Sequence, residues 1–599
     1  MRDRWVVALA AAAAAGALRP SAVPLGLALA LVGGALVARR PLLLCLGVAV
    51  LTSSLAQRAE DGLRGLRAAP VDAVVTLVTD PQPSAGGWRA DARLGHHRVE
   101  LDARGTTAAS LRPHLAGDRL RVRGALRPEV RPPPWLVVRH VGARLAAVRI
   151  EPGPPAAPVA ALANGLRRRL AAGAASLGPV RRSLFTGLVL GDDREQPAAL
   201  ADDFRGAGLT HLLAVSGENV AFVVALTGPV ARRLRLWPRL GLLLSVIAFF
   251  ALLTRFEPSV SRAAVMGGLS AITVTIGQPT TRVRVLALAV TALLVVDPLL
   301  VRSLGFQLSV AAALAITVGA APLAGALPGP RWLIEPLAVT IAAQLGVAPL
   351  QLAAFGPIPV ASVPANLLAV PAAGAVMVWG MTAGVLAGFA GGRAAALLHL
   401  PTGLCLGWLA SVARRAAAAP LGQLDGRGAA LAAVGLALVG LGARLGRPAA
   451  RATGAGLAAA AVYVAVVLAQ APPGLRDALA PGVVRWHGPG AEVLALGGGG
   501  WRSGLDAKSV LAVLRTAHVR SIDVLVVVDA RVPASVVAAV GERHPIGRTL
   551  VAAGRSPEER PTAAVAVPAA GAQLEVGGLD LLLVPAEDRL VVEAVPAPH

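Results

Sequence analysis

Two rhythms of apolar and polar positions alternate along this chain. The first is the long apolar run. Three of these open the sequence, roughly Trp5–Leu18, Val23–Val37 and Leu42–Leu55. They return from Leu184 to about Leu445, where the pattern predicts roughly seven to nine helices, and a last run lies near Ala455–Leu468. Such runs approach the ~20 residues that a helix needs to cross a bilayer. The second rhythm is alternation. From Val71 to Glu151 the segments "VDAVVTLV", "WRADARL", "HRVELDA", "DRLRVRGAL", "WLVVRHV" and "RLAAVRIE" place apolar residues at every second position between Gly, Pro and Asp. That is the mark of short strands.

These rhythms divide the chain into N-terminal transmembrane helices (1–57), a β domain (71–151), an amphipathic helix (158–178), a helical membrane core (184–445), a last membrane helix (453–470) and a soluble tail (481–599). Five or six strands in roughly 80 residues suit a small OB-like barrel. The amphipathic helix carries Arg167, Arg168 and Arg169 on its polar side and suits a helix lying on the membrane surface or an ordinary linker. In the tail, "AEVLALGGGG", "IDVLVVVDA", "RTLVAAG" and "LDLLLVPAE" read as strands, with "DAKSVLAVLRTA" and "PASVVAAVGER" as helices between them, an α/β pattern. The expected fold class is a polytopic α-helical membrane protein with an extracytoplasmic small β-barrel domain and a C-terminal α/β domain.

Composition strengthens the membrane reading. The chain is 55% hydrophobic and only 15% charged, with a mean hydropathy of +0.65, which excludes an ordinary soluble protein of this size. Its net charge of +23 permits a polyanionic partner, but Lys508 is the only lysine and the arginine-rich remainder reflects coding bias. Basic residues flanking the runs set orientation: Arg2 and Arg4 before the first, Arg39 and Arg40 between the second and third place the N-terminus in the cytoplasm and the β domain outside. Arg444, Arg447 and Arg451 before the last run put the tail outside as well. No cleavable signal peptide is expected, because two more apolar runs follow the first directly. Cys45 and Cys405 lie within apolar runs and read as packed small hydrophobes, with no metal-binding spacing.

The candidate chemistry sits where the core begins. "FRGAGLTHLLAVSGENVAFVVAL", Phe204–Leu226, sets Thr210, His211, Ser216, Glu218 and Asn219 in an apolar run. Polar groups at membrane depth face a protein interior or a water-filled path. On a continuous helix His211 and Ser216 would stand about 140° apart, and His211 and Asn219 about 80°. Gly206, Gly208 and Gly217 instead suggest a broken or re-entrant segment, tolerated at that depth where it is buried in protein or lines a wet cavity. A GxSxG elbow is missing, which argues against a membrane serine hydrolase. The plain alternative is that these groups bond neighbouring helices.

"FRGAGLTHLLAVSGENV" resembles the signature of the ComEC family of competence proteins. "LVLGDDREQP" (Leu188–Pro197) before it, and "PSVSRAAVMGGL" (Pro258–Leu269), "DPLLVRSLGFQLSVAA" (Asp297–Ala312) and "AQLGVAPLQLAAFGPIPVASVPANLLAVP" (Ala343–Pro371) after it, lie in that family's order. The resemblance covers about Leu184–Leu445. It implies an inner-membrane channel that takes up single-stranded DNA during natural transformation, with an OB-like domain after the first helices and a metallo-β-lactamase-like domain at the C-terminus. External proteins that deliver DNA and degrade one strand, and a cytoplasmic motor, are further implied partners beside membrane lipid. The alternatives are a transporter of a small solute or lipid on the same scaffold and a membrane-anchored metal-dependent nuclease.

A strand bearing one phosphate per nucleotide needs a hydrated, polar or cationic lining to cross hydrocarbon. The candidate lining is Arg205, His211, Ser216, Glu218, Asn219, Arg262, Gln307, Ser309, Gln344 and Asn366. The arginines could meet phosphates, and the amides bond without trapping the strand. One position departs from the family: Glu218 stands where a polar residue such as histidine is frequent, and a carboxylate repels phosphate unless protonated or paired with an arginine. In the tail, a metallo-β-lactamase-like hydrolase would need an HxHxDH-type cluster. "SIDVLVVVDARVPASVV" keeps only Asp529 there, and His487, His518, His544 and His599 are scattered. The glycine run of "ALGGGG" lacks the usual acidic residue. The expectation is therefore no enzyme, no metal and no cofactor, and without a Walker A pattern no ATP-driven transport by this chain itself.

Overall fold

Small residues let the first helices close on one another. In the computed structural model, which describes residues 3–84, 87–278, 280–446, 448–469, 476–488, 490–497, 505–517, 519–529, 532–552, 564–568, 570–586 and 589–596, α1 (Asp3–Leu18), α2 (Leu25–Val37) and α3 (Pro41–Asp61) pack as a unit. A side chain at Gly16 would meet the carbonyl oxygen of Ala49 at 2.0 Å, so only glycine permits this approach. Thr52 Oγ1 donates across it to Ala13 O at 2.9 Å.

The β domain comprises β1 (Ala69–Leu77), β2 (Gln82–Ser84), β3 (Gly87–Leu94), β4 (His97–Arg104), α4 (Thr106–Leu111), β5 (Arg119–Pro128), α5 (Pro134–Val138) and β6 (Val141–Pro152). Pairing runs β1-β5-β6-β4-β3, with β4 and β6 parallel. It returns from β3 to β1 through Thr76 opposite Arg93 and Leu77 opposite Ala92. Alternate positions, among them Val75, Leu77, Ala90, Ala92, Val99, Leu101, Leu120, Val122 and Leu145, form the buried core, as the alternation demands. One expected strand is corrected: "WLVV" is the helix α5. Pro134 opens it with the pre-set φ of a first helical turn, and the strand β6 starts only at Val141.

The helical core holds α6 (Pro158–Gly173), α7 (Pro179–Leu190), α8 (Ala198–Gly206), α9 (Glu218–Ala231), α10 (Leu236–Leu253), α11 (Pro258–Thr275), α12 (Arg282–Val296), α13 (Leu304–Ala326), α14 (Arg331–Phe355), β7 (Ile358–Pro359), α15 (Ser362–Ala390), α16 (Gly392–Leu398), α17 (Leu400–Ala418), β8 (Gln423–Leu424), α18 (Gly426–Arg444) and α19 (Pro448–Ala469). Among the described residues α3, α10, α13, α14 and α15 are long and apolar enough to cross a membrane. The α16–α17 pair, bent by 57°, makes a sixth if taken as one span. Leu314, Trp332, Phe355, Leu386, Phe389 and Leu404 point outward exposed, a surface suited to lipid rather than water. This is a polytopic membrane protein.

The tail contains β9 (Arg476–Ala480), β10 (Val483–Gly488), β11 (Ala491–Leu496), α20 (Ala507–Thr516), β12 (Ile522–Val527), α21 (Ala534–Arg543), β13 (Ile546–Ala552), β14 (Ala564–Val567), β15 (Ala572–Val576), β16 (Leu579–Ala586) and β17 (Arg589–Pro596). One sheet runs β14-β13-β12-β11-β10-β9, parallel from β11 to β14. Leu494, Leu496, Leu525 and Val527 pack on α20 and α21, while Val493, Ala495, Val524 and Val526 pack on the sheet β15-β16-β17. Burial on both faces explains the apolar runs Val493–Leu496 of β11 and Val524–Val527 of β12.

Two buried ionic junctions fix the soluble parts to the core. At the first, Arg167 of α6 donates to Leu190 O (2.6 Å), Leu253 O (2.7 Å) and Asp80 Oδ2 (2.7 Å). Asp80 also accepts from Arg255 Nε (3.1 Å) and from Ala116 N–H of the β domain (2.8 Å). Arg167 is thus not on a solvated polar face as its sequence context suggests; its side chain is 2% exposed. The last-turn carbonyls of α7 and α10 lack helical donors, and Arg167 caps both. At the second, Asp202 and Asp203 of α8 meet Arg515 of α20 (3.0 Å) and Arg543 of α21 (3.1 Å), respectively.

Candidate functional site

The polar segment after α8 is broken, as its glycines suggest. Gly208 has φ +69°, and a side chain there would press on Ser362 Cβ at 2.4 Å, so both conformation and space require glycine. One 3-10 turn follows at Thr210–Leu212, and α9 starts only at Glu218. Carbonyls in this region find side-chain donors, as buried backbone groups must. Gln196 Nε2 donates to Leu213 O (2.9 Å), Ser259 Oγ to Val215 O (3.1 Å), and Asn219 Nδ2 to Leu188 O at the end of α7 (3.0 Å). Ser216 Oγ donates to Asn219 Oδ1 at 3.3 Å, which turns the amide donor toward α7.

His211, Ser216, Glu218 and Asn219 line one crevice together with Leu188, Phe222, Ala373 and Gly374. α7, the break, the start of α9 and α15 form its walls. Its volume is about 10 Å³, room for roughly one water. Beneath the break, Arg262 of α11 donates from Nε to Ser309 Oγ of α13 at 2.7 Å. A side chain at Gly217 would stand 2.9 Å from Arg262 Nη2, so the glycine admits the guanidinium. Six of the ten candidates are brought to this place.

The other four are neither in the crevice lining nor in the Arg262–Ser309 pair beneath it. Arg205 lies at the tail junction, 3.9 Å from Asp202. Gln307 donates to Val301 O (2.8 Å), Gln344 to Gln351 Oε1 (3.1 Å), and Asn366 to Ser362 O one turn back on its own helix (2.8 Å). Glu218 has no ion-pair partner among the described residues. Sequence reasoning missed Gln196 and Ser259, although both stand in the quoted polar motifs. It also missed Asp80 and Arg255, for which no local pattern exists.

In the tail, His487 Nδ1 bonds Glu492 Oε2 at 2.7 Å, and Arg485 Nη2 donates to the same carboxylate at 3.0 Å. His544 is buried, and Asp529 packs beside Gly497, where a side chain would come within 3.3 Å of its Cγ. His518, His599 and Gly498–Gly500 lie outside the described residues. Among the described residues no three His, Cys, Asp or Glu side chains are grouped to hold a metal ion. Cys45 and Cys405 are free thiols.

Residues 188–446 match the competence protein family. The chain is 28% identical over 212 residues to ComE operon protein 3 of Bacillus subtilis (strain 168), covering 35% of this chain and 27% of that protein. It is 27% identical over 207 residues to the uncharacterized protein YcaI of Escherichia coli (strain K12), covering 32% of this chain and 27% of that one. The matches therefore span a minor part of either relative's length. No solved structure matches. The break, the crevice and Arg262 all fall inside the region that matches the competence protein family.

Proposed function

We propose that the chain is an inner-membrane channel for uptake of single-stranded DNA in natural transformation. The observation that carries the reading is the break at Gly206–Gly217, which gathers His211, Ser216, Glu218 and Asn219 at one crevice within the family match. Irregular backbone with several polar side chains in an apolar bundle suits a hydrated path. At about 10 Å³ the crevice admits no nucleotide, so the described arrangement is the closed state. Conduction requires α15 to part from α7 and α9. Arg262 beneath the break would meet phosphate as the path opens, and Glu218 would be protonated or paired with it.

The soluble parts fit the same reading. The strand order β1-β5-β6-β4-β3 returning to β1, with β4 parallel to β6 and α4 between β4 and β5, supports an OB-like barrel. The tail is read as a degenerate metallo-β-lactamase-like domain that docks on α8 and carries out no hydrolysis. Both would lie outside the cytoplasm, where external proteins deliver the strand, while a cytoplasmic motor pulls it.

The test is His211→Leu, introduced into a transformable host whose own gene is deleted. The expected outcome is a fall in transformation of at least about tenfold with normal membrane insertion. Full transformation by a correctly inserted variant rejects the lining.

A further inference from the structure

Away from the crevice, the β domain and the core enclose a cleft of about 430 Å³, within the roughly 300–1,000 Å³ range of ligand sites. Trp88 and Arg112 of the β domain face Arg167, Arg168, Arg182 and Arg194 of the core across it. Asp192 and Glu195 are the acidic residues in its lining, so the walls are net cationic. Two of the arginines are engaged in the fold: Arg167 with Asp80, and Arg194 with Asp192 at 2.6 Å. Arg112 and Arg168 are exposed, and Arg182 reaches Glu195 only at 3.6 Å. The half-buried Trp88 has the Arg112 guanidinium 5.7 Å from its ring centroid.

The cleft backs onto the candidate path. Thr186 and Leu190 of α7 line the cleft, whereas Leu188 lines the crevice. Residues four apart share a helix face, and the residue midway between them points away. The last turn of α7 is therefore the partition between the two.

We propose that this cleft binds one or two nucleotide units of a single-stranded nucleic acid, with phosphates on Arg112, Arg168 and Arg182 and a base stacked on Trp88. The inference rests on the DNA-uptake reading and gives it a receiving site. Strand binding without sequence preference combines a cationic groove with an aromatic platform. The platform and Arg112 belong to the β domain, and the rest of the charge to α6, α7 and the loop after it. The site exists only while the Asp80–Arg167 junction holds the domains together. A lipid phosphate would use the arginines but gain nothing from the indole face, so the nucleic acid is the favoured occupant.

The test uses the full chain in nanodiscs of zwitterionic lipid and a fluorescent oligodeoxythymidylate, titrated over a range of salt. Each phosphate contact of a single strand contributes about 0.7 to the slope of log K against log salt, so R112Q/R168Q should flatten it by about 1.4. R112K/R168K should restore it. Trp88→Ala should weaken binding roughly tenfold with the slope unchanged. Wild-type affinity and slope in both R112Q/R168Q and Trp88→Ala overturn the proposal. So does loss of oligonucleotide binding on adding phosphatidylglycerol to the discs, coupled with indifference to Trp88→Ala, which would make the cleft a lipid site. Altered binding in these variants alongside full transformation by His211→Leu would sink the uptake reading and leave the cleft standing. Unaltered binding with failed transformation would sink the cleft alone.

Discussion

Arg167→Met is the sharpest perturbation of the β-domain junction. The guanidinium is 2% exposed and makes charge-assisted bonds to Asp80, Leu190 O and Leu253 O. Methionine fills similar volume but donates nothing. Breaking one side of a buried ion pair costs about 3–5 kcal/mol, and helix-end carbonyls left dry add roughly 1–3 kcal/mol each. Asp80 keeps Arg255 at 2.9 Å, which offsets part of this, so about 5 kcal/mol is expected for the docked state. Asp80→Asn should cost about 3 kcal/mol, since two guanidinium groups lose their counter-charge. The double variant should cost at least about 2 kcal/mol less than the sum, because both changes break the same pair. Native-state hydrogen exchange at the Ala116 amide, which donates to Asp80 at 2.8 Å, reads the opening directly. pH supplies a second readout. Burial alone would raise the Asp80 carboxyl, but Arg167, Arg255 and the Ala116 N–H hold it below the ordinary carboxylate range. Its contribution is then fully present above about pH 4, the unfolded value, and is lost as pH falls through the lower folded value. Single-variant costs under about 1 kcal/mol, or strict additivity, would refute the reasoning.

Asp202→Ala should release the tail from α8. It leaves Arg515 and Arg205, at 3.0 and 3.9 Å, without their buried counter-charge at a cost of about 3–5 kcal/mol, while Arg543 keeps Asp203 at 3.1 Å; limited proteolysis at wild-type rates would contradict this. Gly217→Ala would set a methyl 2.9 Å from both Ser259 O and Arg262 Nη2. Overpacking of that kind costs about 1–3 kcal/mol, and displacing Arg262 should lower transformation in protein that still inserts. Asp529→Ala should leave transformation unchanged, and purified protein should carry less than stoichiometric zinc or manganese. A full complement of either metal, or loss of activity in that variant, would restore the hydrolase alternative.

The sequence by itself determined that the chain carries several helices apolar enough to cross a membrane, that most of its alternating stretches are strands, and that the segment from Gly206 to Gly217 does not run as a continuous helix. Hydrophobic rhythm and glycine placement are local properties, and burial along each element obeys them. It also pointed to His211, Ser216, Glu218 and Asn219 through their cost in an apolar run. "WLVV" was misread as a strand because four apolar residues fit either element, and only the prolines before it tip the balance. The tertiary structure alone decided that Arg205 serves the tail junction and that Arg167 is buried among helix ends. These depend on what stands opposite a side chain rather than beside it in the chain. Asp80 and Arg255 are 175 residues apart, and no periodicity couples residues at that separation; only the closing of the β domain onto the helical core brings their charges together.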